Sequence, residues 1–404
     1  MHKVSRGLAV AAGAAIIASS LLTGAQAQNN APIKIALITD MSGIYAATSG
    51  QGAVEATKMA VEDFGGKLLG RPVVVDAVDH RNQGPEAATK AREEFDSGAE
   101  LALDLTNSGA ALAVSNVGKE KHKIVIVTGG GTSDLTGVAC DKYTYHYAYD
   151  TYALGHSTGT NLAAGGAKSW YGIAPNYAFG KSMDADFRDG VAQKGGHFIK
   201  TDFMALGTTD FSPYMIAAKN AKPDALALLN AGVDTINSMK AAKQFGLDKQ
   251  MKIAVGLLFI SDVQALPDLF AGSRITTSWY WDEDAASRAW AARFEKRFHG
   301  TIPTETQAAD YSATMQWLNA VKAVGSLDAD KVVKYLDGRQ FNDFYAHGGE
   351  WRARDHRVIH DMYVVDVLAK SELKKPGGWY KIVQIIPPGR AFRPESQSPC
   401  KKDW

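Results

Sequence analysis

The chain has 404 residues, of which 46% are apolar and 22% charged. That composition suits a globular protein with room for two or three domains, and it excludes a disordered chain, a collagen-like repeat and a polytopic membrane protein. Basic residues number 44 and acidic ones 43, so a net charge of +1 leaves no electrostatic footprint for nucleic acid.

Residues 1–27 read as a cleaved export signal. His2, Lys3 and Arg6 form a basic start, residues 7–22 carry no charge, and Ala25-Gln26-Ala27 supplies the small residues that a signal peptidase reads. The apolar stretch is short for a membrane span. The destination is the periplasm or the exterior, where thiols are oxidised. Cys140 and Cys400 are the only two Cys, too few for a zinc site, and an even count in such a compartment predicts one disulfide.

From residue 33 the chain alternates short apolar runs with helical spacing. Residues 33–39 read as a buried strand. Residues 52–64 follow as an amphipathic helix, with Val54, Val61 and Phe64 on one face and Glu55, Lys58 and Glu62 on the other, ended by Gly65-Gly66. A strand over 73–78, a helix from Pro85 to 95, a strand over 101–105, a helix over 109–121 and a strand over 124–128 complete a β-α-β-α-β-α-β unit. The rhythm restarts after 150. Strands fall at 169–173, 197–203, 225–229 and 252–255, and helices at 182–194, 212–219 and 235–245. Residues 285–338 are mostly helical. Residues 362–368 and 380–386 read as an antiparallel hairpin turning at Lys375-Pro376-Gly377-Gly378. The pattern is α/β: two Rossmann-like lobes with parallel-rich sheets. No low-complexity linker separates them, so short hinge strands are expected near 147–151, 278–281 and beyond 344, suited to closure around a ligand.

The motifs of catalysis and nucleotide binding fail on inspection. Gly50-Gln51-Gly52 opens a helix after a strand, but Glu55 stands where a dinucleotide fingerprint needs its third Gly. Gly180-Lys181-Ser182 resembles the end of a phosphate loop, whose first Gly would fall at Pro175, a residue with no N–H to donate. His356 and His360, beside Asp355 and Asp361, lack a third ligand and read as solvated loop histidines rather than a metal site. No cofactor and no catalytic residue is expected, so the chain does not read as an enzyme.

Several segments together resemble the branched-chain amino-acid type of periplasmic solute-binding protein, the receptor of an ABC importer. They are Asp40-Met41-Ser42-Gly43-Ile44-Tyr45, Gly65-Gly66-Lys67-Leu68-Leu69-Gly70-Arg71-Pro72, Asp79, Gly131-Thr132-Ser133-Asp134-Leu135-Thr136, Asn176-Tyr177-Ala178-Phe179-Gly180-Lys181-Ser182, Thr209-Asp210-Phe211-Ser212 and Phe245-Gly246-Leu247. The resemblance covers the whole chain after the signal. It implies the type I fold: two lobes joined by three crossovers, the first from 28–148 and 279–350, the second from 149–278 and 351–404 with the hairpin and tail. It also implies a ligand in the cleft between them, an inner-membrane ABC permease as partner, no nucleic acid, and a monomer.

Carried over by position, the first lobe offers Tyr45, Thr106, Asn107 and Ser108, and the turn Gly130, Gly131, Thr132 and Ser133. Small hydroxyls and Gly N–H groups at helix starts suit an anion. The second lobe offers Tyr177, Phe179, Asn230, Gly232, Leu258 and Phe259, with Trp281 as an aromatic wall. One departure matters. Amino-acid receptors of this family carry an acid near the strand end that here reads Val255-Gly256-Leu257-Leu258-Phe259. Its absence predicts a small aromatic or branched apolar carboxylate without an ammonium. The alternatives are a receptor for branched-chain amino acids or amides, and a sensor that docks a membrane signalling protein.

Overall fold

The computed structural model describes residues 31–404. The export signal expected at 1–27 lies outside the described residues. Two parallel sheets organise the rest. In the first, Ile33–Thr39 pairs in parallel with Arg71–Asp79 on one side and Ala99–Asp104 on the other, and Ile124–Val127 and Thr144–His146 continue outward. Lys67–Leu68 adds a short antiparallel edge. Ile35, Ala36, Leu37 and Ile38 are all buried, as a parallel strand covered on both faces requires. In the second sheet the order is Lys252–Val255, Ala225–Leu228, Ser169–Pro175 and His197–Met204, again all parallel.

Both sheets are doubly wound, and in each the strand order reverses at one place. In the first the reversal lies between Ile33–Thr39 and Ala99–Asp104, in the second between Ser169–Pro175 and Ala225–Leu228. Open α/β sheets bind ligands beyond the carboxyl ends of the strands at such a point. The sequence supplies the matching helix starts. Ser108–Lys121 begins at Asn107, whose Oδ1 accepts from the N–H of Gly109 and Ala110 at 2.9 and 3.0 Å. The Gly50–Asp63 helix packs on Glu305–Val324 because Gly52 has no side chain; a Cβ there would lie 2.2 Å from Gln307 Nε2.

A third sheet of Arg274–Thr277, Met362–Val367 and Tyr380–Ile386 is antiparallel and packs with the second lobe; its last two strands are the expected hairpin. The chain crosses between lobes at 147–151, at 278–281 and at 360–361. Gly349–Trp351 pairs with Val358–Ile359, and Arg357 bridges to His146 in the first sheet. Strands of two and three residues leave no periodicity to read. The tail also returns to the first lobe, where Cys400 forms the disulfide with Cys140, Cα to Cα 5.6 Å.

The crossings brace one another. Arg357 is buried and donates to Asp150 Oδ2 at 2.8 Å, to the Ala148 carbonyl at 2.6 Å and to the His146 carbonyl. His360 Nε2 meets the Ala148 carbonyl at 2.8 Å. His356 stacks on Tyr145 and faces Asp337 at 3.2 Å. Both histidines are fully buried, not solvated as the polar turn around them suggested. They fill the joint between crossings.

Candidate ligand-binding site

The loops at the two reversal points face each other across a narrow space between the lobes. Tyr45, Thr106, Asn107, Ser108, Gly129 and Gly131 line it from the first lobe, Tyr149 from the first crossing, and Tyr177, Phe179, Ala231, Leu257 and Phe259 from the second lobe. The two halves differ in chemistry. The first lobe presents small hydroxyls, an amide and the start of the Ser108–Lys121 helix, whose dipole favours an anion. The second presents aromatic and aliphatic surface. Tyr177 and Phe179 stack at 6.2 Å, and Tyr149 meets Phe259 edge-on at 6.1 Å. Neither Lys, Arg, Asp nor Glu lines the space.

Backbone fit explains the glycines. A Cβ on Gly129 would lie 2.1 Å from Thr106 Oγ1, and one on Gly131 3.0 Å from the Phe179 ring. The two first-lobe loops therefore pack against each other, and the second lobe closes onto them. Thr132 N–H donates to Ser108 Oγ at 3.1 Å, which ties those loops together.

The lobes are in contact around this space. The Tyr45 and Tyr177 hydroxyls are bonded at 2.8 Å, and Thr132 Oγ1 and Ser182 Oγ at 2.6 Å. Ser133 Oγ donates to Asp186 Oδ2 at 2.7 Å, as does Thr151 Oγ1. Arg393 of the tail donates to Asp186 Oδ1 at 2.6 Å. Burial pushes the Asp186 carboxyl up to about 6 against those donors.

Of the residues expected to contact ligand, Tyr45, Thr106, Asn107, Ser108, Gly131, Tyr177, Phe179 and Phe259 are brought together here. The other seven do not line the space. Gly130 lies beneath the turn, where a Cβ would be 2.7 Å from that of Ala111. Thr132 and Ser133 join the lobes outside it. Asn230 turns inward to Ser238 at 3.1 Å and accepts from Thr235 at 3.0 Å. Gly232, at φ +60°, gives way to Tyr45 and the Ile44 carbonyl. Leu258 belongs to the second-lobe core. Trp281 is held away by a bond from its indole N–H to the Gly377 carbonyl at 3.0 Å, with Lys375 over its ring. The aromatic wall at the crossing is Tyr149 instead, read from sequence only as part of a hinge. Ala231, between two residues that were named, carries no chemical signal by which to find it.

An acid does lie close by. Asp234, in the first turn of Val233–Gln244, is buried; its Oδ2 accepts from Gly207 N–H at 3.1 Å and its Oδ1 has no partner among the described residues. Burial pushes this carboxyl up to about 6, and its field reaches both Tyr45 and Tyr177.

Residues 32–372 match the family model described as periplasmic binding protein. A periplasmic binding protein from Burkholderia mallei is 44% identical, with 92% of this chain and 98% of that one covered and a TM-score of 0.89. A branched chain amino acid ABC transporter periplasmic ligand-binding protein from Burkholderia xenovorans LB400 is 34% identical over 91% and 99%, at 0.81. At 20% identity, covering 92% and 100% with a TM-score of 0.80, a solute-binding protein of an ABC transporter from R. palustris in complex with benzoate shares the fold. Two doubly wound lobes, three crossings, a cleft at both reversal points and this likeness over most of the length agree: the chain belongs to the periplasmic binding protein family, the ligand-binding components of ABC transporters.

Proposed function

We propose that this receptor captures a small carboxylate with an aromatic or branched apolar body, closes on it by hinge bending, and delivers it to an inner-membrane ABC permease. The observation that carries the reading is the split character of the enclosed space: anion-suited helix start and hydroxyls on one side, Phe179, Leu257 and Phe259 on the other, and no charged lining residue. A buried ammonium without a partner would cost several kcal/mol. The benzoate complex of the R. palustris neighbour supports this only so far as the fold can house that class.

A second reading is a receptor for leucine-like amino acids. Asp234 favours it, since an unpaired carboxylate oxygen near the two tyrosines could accept from an ammonium. A thermal-shift screen separates the two. Benzoate, 4-hydroxybenzoate and 4-methyl-2-oxopentanoate should raise the melting temperature and leucine should not, because a ligand at 100 times its Kd stabilises by about 2.7 kcal/mol. A shift with leucine alone would favour the second reading.

A further inference from the structure

The turn that faces the anion side of the cleft rests on two buried acids with no cation beside them. Asp104, the last residue of its strand, has φ +80°, and Leu105 has φ +62°. Such conformations are unfavourable for side-chain-bearing residues and persist where surrounding bonds impose them. Here the bonds converge on Asp104. Its carboxylate accepts from Thr106 Oγ1 and Ser49 Oγ, and its carbonyl accepts from the N–H of Thr128 and Gly129, both at 3.1 Å. Thr128 continues the chain of contacts, since its hydroxyl donates to Asp310 Oδ1 at 2.5 Å. Asp310 Oδ2 has no partner among the described residues. One residue, Asp104, therefore anchors both loops of the site, the Thr106 loop through its carboxylate and the Gly129 loop through its backbone carbonyl.

The Thr106 hydroxyl has a single proton, and it is committed to the Asp104 carboxylate. In that state it can offer a ligand only lone pairs, the wrong polarity for an anion. A proton on Asp104 reverses that bond: the carboxyl O–H donates to Thr106 Oγ1, and the threonine proton is released toward the ligand.

We propose that Asp104 and Asp310 are positioning residues of the anion-binding turn, and that capture of a carboxylate there takes up a proton on this pair, turning the Thr106 hydroxyl into a donor to the ligand. The inference rests on the anion-binding reading of the turn. Asp104 acts on Asp310 and on Tyr149 of the first crossing. Glu305, at the start of Glu305–Val324, acts on Tyr149 in turn, and His146, kept neutral by burial, meets Gly130 behind the turn. None is a cation. Burial pushes Asp104 up to about 6, and Asp310 well above the carboxylate range. Asp104 thus holds a proton less firmly than Asp310 and is the member of the pair left to take one up when an anion arrives.

The test is calorimetry of ligand-stripped protein with benzoate and with leucine, since both carry a carboxylate, in phosphate and in Tris at pH 7.5. The tighter probe should give enthalpies that differ between the buffers by the amount expected for uptake approaching one proton. Its affinity should fall by up to tenfold per pH unit between about 7 and 8.5, as one linked proton requires. Asp104→Asn, whose amide donates to Thr106 as the protonated acid would, should bind at pH 8.5 at least as tightly as the wild type and show no slope. Equal enthalpies in the two buffers would overturn the proposal, as would an unchanged slope in Asp104→Asn. Should that variant not fold, the buffer comparison on the wild type decides alone. If leucine binds and benzoate does not, the ligand class is wrong and the proton count on leucine still decides this inference. If neither binds, the turn is not a carboxylate site and the inference fails with it.

Discussion

Replacing Arg357 by Met would test whether the crossings are held as a single joint. The guanidinium makes a 2.8 Å bond to Asp150, bonds the carbonyls of His146 and Ala148, and lies 4.1 Å from the Phe392 ring centre. Met keeps much of the stem and removes the charge. The Ala148 carbonyl retains His360, and Asp150 retains the Ala153 N–H at 2.7 Å. What remains is a buried carboxylate without its counterion. Breaking a buried pair from one side costs about 3–5 kcal/mol, and that loss is expected in urea unfolding followed by Trp fluorescence. Burial alone would raise the Asp150 carboxyl, but Arg357, with His146, the Ala153 N–H and Arg393 beside it, outweighs burial and holds the group below its ordinary value. In the wild type this contribution is therefore present above about pH 4 and lost as pH falls through the folded value. In Arg357→Met the orphaned acid reverses sign, so the deficit should be largest at neutral pH and shrink toward pH 4. Asp150→Asn should destabilise the wild type yet recover about 1–3 kcal/mol in the Arg357→Met background. A loss below 1 kcal/mol, or additive effects of the two substitutions, would refute the reasoning.

The remaining expectations are more local. Unfolded, unreduced protein should contain no free thiol, and Cys140→Ser with Cys400→Ser should lower stability by about 2–5 kcal/mol, since the bond spans 260 residues. Tyr177→Phe removes one interlobe hydroxyl bond and should weaken ligand binding roughly 2- to 12-fold, the equivalent of about 0.5–1.5 kcal/mol. Burial pushes Glu305 up to about 8, with Asp262 adding to the effect. A carboxyl raised in the folded state contributes stability that is lost as pH rises through that value, so Glu305→Gln should match the wild type at pH 5 and exceed it at pH 8.5 in denaturant midpoint. Small-angle scattering should show the radius of gyration fall on ligand addition; no change at saturation would argue against hinge closure.

Much of the fold was legible because parallel strands buried on both faces read as short apolar runs. Residues 33–39 and 252–255 carry the bounds read from sequence, whereas the helix read from 182 opens earlier, at Ala178–Ala192. The disulfide followed from counting and compartment. The site was partly legible, since strand-end loops at a reversal point must face the cleft. Position along a loop does not give side-chain direction, however. Asn230 turned inward because Thr235 and Ser238 lie one helical turn away to satisfy it. Tyr149 was hidden because a crossing is read for its backbone, and Trp281 misled because an aromatic cluster looks alike in a wall and in a core. The joint between the crossings and the returning tail depend on long-range pairs, Arg357 with Asp150 and Cys400 with Cys140, that no local pattern announces.

The central claim is the class of ligand, and the most direct measurement is titration calorimetry of refolded, ligand-stripped protein with benzoate, 4-methyl-2-oxopentanoate and leucine at pH 6.5. An acid should bind with the negative heat-capacity change of apolar burial. Leucine should bind at least about 100-fold more weakly, because a desolvated ammonium with no partner costs 2.7 kcal/mol or more. Tight binding of leucine without binding of either acid would contradict the account and place Asp234 opposite the ligand's ammonium.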